Sequence, residues 1–201
     1  ITLSASNDAI IEATEAATLT LLTAGQAAAT SPISAALNIQ DNDTATVTVT
    51  SAGSPGESGA TGTYTVATPD TLEVALTVNF SMSGAAVNAD YALAGTASFA
   101  FPNGSVTLPV GVAPSAMVTL TPANDAIIEA TEDAVLTLTT GTQWVAGVPA
   151  SASLNITDND AATVTVTAAG SPAEGGASAT FTVATIDTLA AIPDLPKEAS
   201  D

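Results

Sequence analysis

Two identical acidic segments contain most of the clustered side chains that could do chemistry. The nine residues Asn-Asp-Ala-Ile-Ile-Glu-Ala-Thr-Glu occur at positions 7–15 and again at 124–132, which is 117 positions later. Each copy is followed by an alternating apolar run and then by Asp-Asn-Asp, at 41–43 and 158–160, again 117 positions apart. Carboxylate and amide oxygens are the ligands that hard cations such as Ca²⁺ prefer. The spacing therefore indicates two related candidate cation sites.

Catalysis is a weaker interpretation of the same carboxylates. A pair of acids can hydrolyse glycosides, but the chain has no His, its one basic residue is Lys197, and it has only Trp144 to line a sugar cleft. A carboxylate cluster on loop ends is also exposed to solvent, and a general acid needs a less solvated environment to raise its pKa. We therefore expect no enzymatic activity.

The composition of the chain excludes some classes of binding partner. The chain carries 20 acidic residues against one basic residue, for a net charge of −19. Such a surface repels nucleic acid and anionic membranes, and divalent cations are its natural counter-ions. The absence of Cys and His removes disulfides and zinc sites of the usual kind. No run approaches the roughly 20 apolar residues of a membrane helix, so we expect no membrane insertion.

An ungapped repeat sets the domain organisation. Residues 1–72 align with 118–189 without insertion or deletion. The sequence therefore predicts one complete unit at 44–160, the C-terminal part of a preceding unit at 1–43 and the N-terminal part of a following unit at 161–201. The chain begins in mid-pattern and opens on no signal peptide, so we expect any targeting segment to lie outside it.

The complete unit alternates apolar and polar residues with the period of β-strands. Seven or eight short strands with turn signals between them predict an all-β fold, a tandem array of Ig-like antiparallel β-sandwiches. Asn103-Gly104 predicts a hairpin turn, and 126–132 could form at most one helical turn. The tail from Ala190 departs from its repeat copy, and Pro193 and Pro196 would disrupt a central strand there.

Loops of a sandwich gather at its two ends, so alternate loops should bring their acids together. Four segments should meet at one end: 53–59, 84–90, 124–129 and 158–160. The oxygen-bearing side chains that they offer are Glu57, Asp90, Asn124, Asp125, Glu129, Asp158, Asn159 and Asp160. Without a cation so many carboxylates would repel one another. The simpler alternative is that these Asx residues only cap turns and form a solvated linker.

The acidic loop, the pair Asp90-Tyr91 and the closing Asp-Asn-Asp together resemble the Calx-beta domain of sodium–calcium exchangers, integrins and many bacterial surface proteins. The resemblance covers 44–160 and parts of both flanking units. It implies Ca²⁺ as the bound ion and adds the Ile127 carbonyl to the eight candidate ligands above. By the repeat, the counterparts in the flanking parts are Asp8, Glu12, Asp41, Asp43 and Glu174.

Two departures from the family matter. Asn124 and Asn159 stand where the strongest calcium binders have carboxylates, which lowers the ligand charge. The stretch 102–122 is also longer than expected, which leaves room for an extra strand.

From this array we expect a structural extracellular or cell-surface protein, a calcium-stiffened segment of an adhesin, stalk or fibre. It would associate with neighbouring repeats or chains, and partial end units could join head to tail by strand complementation. The alternative is a ligand-binding module that holds carbohydrate or protein on the sandwich loops.

Overall fold

The computed structural model describes residues 1–22, 28 and 30–189, and within them the regular elements are all strands. The predicted all-β fold is confirmed. Among these residues no helix is long and apolar enough to span a membrane. The prediction for Pro193 and Pro196 lies outside the described residues.

Nineteen strands make up the described chain. The first three are β1 (Ile10–Ile11), β2 (Glu15–Thr20) and β3 (Ser34–Ile39). The middle group is β4 (Ala45–Gly56), β5 (Ala60–Ala67), β6 (Thr71–Leu72), β7 (Leu76–Gly84), β8 (Tyr91–Ala94), β9 (Ser98–Ala100), β10 (Asn103–Leu108), β11 (Gly111–Val112), β12 (Ser115–Pro122), β13 (Ile127–Ile128), β14 (Glu132–Leu138), β15 (Trp144–Ala146) and β16 (Ser151–Ile156). The last three are β17 (Val164–Ala169), β18 (Thr180–Thr185) and β19 (Thr188–Leu189).

Two five-stranded sheets form the sandwich. One has the order β16-β14-β7-β10-β9 and the other β15-β4-β5-β12-β8. Strand alternation explains the packing, because every second residue of β4, from Ala45 to Val49, and of β7, from Leu76 to Met82, is buried. A buried hydrogen bond also joins the sheets, since the Tyr64 hydroxyl on β5 donates to the Ala134 carbonyl on β14 at 2.6 Å.

Three local expectations are corrected. The β9–β10 hairpin exists, but its turn is Phe101-Pro102, and Gly104 lies within β10. A Cβ there would meet the Phe80 ring at 2.4 Å, so the glycine lets that ring pack.

The segment predicted to form at most a helical turn contains the two-residue strand β13. The loop between β14 and β16 contains β15, which pairs parallel with β4 and so departs from the antiparallel pattern. The stretch 102–122, which left room for an extra strand, holds three strands, β10 to β12.

The flanking strands repeat local structure of the sandwich but bury much less. Residues that are fully buried in the middle have exposed counterparts 117 positions away. Val49 and Tyr64 are 0% exposed, whereas Val166 and Phe181 are 63% and 79% exposed. Leu136 is 0% exposed and Leu19 is 49% exposed. The domain boundaries at 43 and 160 remain a prediction.

Candidate metal centre

Glu57 follows the last residue of β4 and lies against the segment after β16. Its amide donates to the Thr157 carbonyl at 3.1 Å, and the Thr157 amide donates to the Pro55 carbonyl at 3.1 Å. Gly56 permits this close approach, because a Cβ there would meet the Thr157 hydroxyl at 2.7 Å. The backbone thus brings the Glu57 side chain, which is 6% exposed, next to Asp158.

Asp158 connects two acidic segments through its carboxylate. Its Oδ2 accepts from the Glu129 amide and its Oδ1 from the Asp160 amide, each at 2.8 Å. These two bonds hold the pKa of Asp158 below its usual value, the Asp160 amide contributing most. The loop at 124–129 and the triplet at 158–160 are therefore fixed to each other by a charged acceptor.

Three carboxylates converge at this point. One oxygen each from Glu57, Asp158 and Asp160 lies within 4.8 Å of the others. Glu57 Oε2 and Asp160 Oδ2 are buried and have no hydrogen-bond partner among the described residues. Burial raises the pKa of Glu57, and the nearby charges, Asp158 foremost, raise it further. A buried acceptor without a donor is costly, and a cation held between these carboxylates would satisfy both oxygens.

The rest of the acidic loop surrounds this group without joining it. Asp125 Oδ1 accepts from the Ile127 amide at 2.7 Å, which forms an Asx-type turn. The Asn159 side-chain Nδ2 donates to Asn124 Oδ1 at 2.9 Å, so these two residues connect the two segments. Their hydrogen bond gives the two Asn departures from the calcium-binding pattern a structural role of their own.

Asp90 belongs to a second acidic cluster, with Glu129 and Glu132. One of its oxygens accepts from the Val87 amide, and its carbonyl accepts from the Ala123 amide at 2.8 Å. Burial and the Asp90 carboxylate are the main causes that raise the pKa of Glu129 above its usual value. The same two causes raise the pKa of Glu132 to about 7.

Glu132 is not among the candidate ligands that the sequence indicates. It is the first residue of β14, and its carboxyl lies beside that of Asp90, the residue before β8. The repeat alone cannot reveal that proximity. Tyr91 follows Asp90 in the sequence, and its hydroxyl is buried without a hydrogen-bond partner among the described residues. Burial raises the pKa of Tyr91 to about 12.

The N-terminal copy reproduces the three backbone-to-Asp hydrogen bonds of the acidic loop. The Glu12 and Asp43 amides both donate to Asp41 at 2.8 Å, and the Ile10 amide donates to Asp8 at 3.0 Å. A cleft lies between these two segments. The pKa of Glu12 is raised by burial first, then by Asp8 and by Glu73 from the next unit. The chain contains no counterpart of Glu57 for this copy.

Glu174 is not grouped with the other candidate ligands. It is exposed in a turn that is closed by the Ala173 amide donating to the Ala177 carbonyl at 3.2 Å. The residues that would correspond to Thr157 and Asp158 lie beyond position 201 in the repeat register. Its repeat counterpart Glu57 is buried because those two residues are present beside it.

No protein-family model and no curated protein sequence matches the chain. Among solved structures it is similar to an apo-form Calx CBD1 domain, with a TM-score of 0.42 and 16% identity over 56% of this chain and 98% of that one. It is also similar to calcium binding domain CBD12 of CALX1.1, with a TM-score of 0.42 and 16% identity over 57% of this chain and 44% of that one. For CBD12 from CALX1.2 the values are 0.41 and 13%, over 69% and 75%.

Proposed function

We propose that the unit at 44–160 is a calcium-binding β-sandwich and that the chain is a calcium-stiffened segment of an extracellular adhesin, stalk or fibre. The observation that carries the calcium site is the convergence of Glu57, Asp158 and Asp160 with two buried carboxylate oxygens that lack partners. The donors are oxygens only, which favours a hard cation over zinc or copper. Asp125, Glu129 and the Ile127 carbonyl are the further ligands that we propose.

Calorimetric titration with calcium tests the site. We expect binding by the unchanged chain and its loss from the central site in Glu57→Gln, which keeps the side-chain size but removes the charge. Glu174→Gln is the matched control, since Glu174 is exposed and is not grouped with the other candidate ligands. Equal calcium binding by both variants and the unchanged chain would overturn the assignment.

The position of the site supports the proposed stiffening role. Asp158 and Asp160 are only a few residues before β17, the first strand of the next predicted unit. A cation bound to them and to Glu57 would therefore hold the exit of one unit in a fixed position. An extracellular location fits this role, because free calcium is abundant enough there to occupy sites of modest affinity.

Self-association is the further part of the proposal. Leu37 is 64% exposed and Val183 is 66% exposed, while their counterparts Leu154 and Val66 are 3% and 0% exposed. We propose that neighbouring repeats or chains cover these faces, including head-to-tail strand complementation. Sedimentation tests this: concentration-dependent oligomers are expected, and a monomer at all concentrations would argue against strand exchange between chains.

The ligand-binding alternative gains little from the Trp and Tyr side chains. Trp144, Tyr64 and Tyr91 are 2%, 0% and 4% exposed. Rings so buried offer no surface for stacking against a sugar, and they support a role in the core instead.

A further inference from the structure

The dipeptide Ile10–Ile11 is a strand of one unit inserted into the next. It pairs in parallel with β6, Ile10 opposite Thr71 and Ile11 opposite Leu72. The other edge of β6 pairs with β11. The resulting three-stranded sheet therefore takes one strand from the predicted preceding unit and two from the unit at 44–160.

Ile11 does more than complete a backbone ladder. Its side chain is 2% exposed and belongs to the hydrophobic core of the sandwich, together with Leu72, which is also 2% exposed. Its carbonyl accepts from the Glu73 amide at 3.0 Å. The neighbouring Ile10 is only half-buried. Insertion of one apolar side chain is thus the specific feature of this contact.

The same backbone pairing recurs 117 residues later, although there Ile128 is half-buried and Leu189 is 58% exposed. Ile127 pairs in parallel with Thr188, and Ile128 with Leu189, in the same register. Recurrence at the next predicted joint shows that the pairing belongs to the repeat and not to one accidental contact.

The two predicted units are connected at two points. The chain passes from Asp43 into β4 at Ala45 with almost no linker, so the units are joined covalently at one point. The β1–β6 pairing joins them at another. Two separate attachments restrict the angle between units far more than a short linker alone.

We propose that the β6–β11 edge is a docking slot whose partner is the Ile-Ile dipeptide of the preceding repeat, with Ile11 as the inserted residue. The slot sets the angle between repeats by apolar insertion and backbone pairing, without requiring a cation. The acidic loop of one repeat therefore has the next repeat as its partner. The proposed calcium site uses the same acidic loop. The two ideas are separable, because the slot contains no carboxylate.

Amide hydrogen exchange on the full chain tests the slot. In Ile11→Ala we expect the Glu73 amide to exchange at least about tenfold faster, since the inserted side chain is truncated. Ile10→Ala is the matched control and should change that rate less than about threefold, because Ile10 is half-buried. Ile11→Val, which keeps most of the side chain, should stay close to the unchanged protein. Amides of β7, such as Val78, report whether the sandwich itself remains folded.

Each outcome bears on the proposal. Faster exchange at Glu73 in Ile11→Ala, with Val78 still protected and with the same result in calcium and in chelator, supports the slot. Equal increases of the Glu73 exchange rate in Ile10→Ala and Ile11→Ala would overturn the proposal. Fast exchange of the Glu73 amide in the unchanged protein in chelator would also overturn it. Failure of the calcium site would appear separately, as unchanged calorimetry in Glu57→Gln.

Discussion

Glu57 and Asp158 belong to one cluster yet act on stability with opposite signs. Glu57 is buried with an unpartnered oxygen, and burial raises its pKa. Asp158 accepts two backbone amides, and its pKa is lowered. At neutral pH a carboxyl group with a raised pKa is charged, although the fold favours its neutral form. A carboxyl group with a lowered pKa is also charged, and this is the form that the fold favours.

Substitution at these two positions should therefore diverge. In chelator at neutral pH, Glu57→Gln should raise the unfolding temperature, because it removes repulsion, and Asp158→Ala should lower it, because two amides lose their acceptor. With calcium, both variants should lose the stabilisation that the ion gives the unchanged chain. Thermal unfolding followed by circular dichroism measures both. Destabilisation of the calcium-free protein by Glu57→Gln would contradict the repulsion argument.

Glu132 predicts a pH dependence. Burial and Asp90 raise its pKa from 4.5 to about 7, so in the calcium-free folded state it binds its proton more tightly than in the unfolded state. Its contribution to stability is present below pH 4.5 and is lost as the pH rises to about 7. Urea unfolding in chelator should show this decline, and Glu132→Gln should reduce it. Identical pH profiles for the two proteins would rule out this assignment.

At the scale of elements, two buried tyrosines offer a matched comparison. The Tyr64 hydroxyl joins the two sheets by its bond to the Ala134 carbonyl, whereas the Tyr91 hydroxyl has no partner among the described residues. Tyr64→Phe should cost about 0.5–1.5 kcal/mol, because it removes a buried hydrogen bond between the sheets. Tyr91→Phe should be neutral or stabilising. Urea unfolding measures both, and equal losses would show that the inter-sheet bond contributes nothing specific.

The strands of the sandwich were predictable because their burial follows local alternation. The runs at 44–50 and 61–68 fall on β4 and β5, where every second side chain of the run is buried. Strands β1, β13 and β15 have two or three residues each and pair only with distant segments, so no local period marks them. The hairpin turn was misplaced because Gly104 serves the packing of Phe80 and not the turn.

The site was predictable to the same degree. Loop clustering groups Glu57 with Asp158 and Asp160, and the structure brings these three together. The hydrogen bond between Asn124 and Asn159 and the proximity of Asp90 to Glu132 depend on tertiary contacts between segments more than 30 residues apart. A single sequence carries no local signal for either.

At the scale of the molecule, calcium should change the freedom of the second joint. The chain has no Cys, so Thr107→Cys and Thr167→Cys provide two unique sites for spin labels on exposed positions of β10 and β17. We expect calcium to narrow the distribution of distances between the labels, because the ion would fix the segment that leads into β17. The same labels in Glu57→Gln are the control. A distribution that is identical in calcium and in chelator would contradict the stiffening role.

The central claim is that Glu57, Asp158 and Asp160 bind a calcium ion. A crystal structure of the chain grown with calcium tests it most directly. The predicted result is an ion within about 2.3–2.6 Å of oxygens from all three carboxylates, including the two that lack partners. Well-ordered side chains at these positions with only water between them, at millimolar calcium, would contradict the claim.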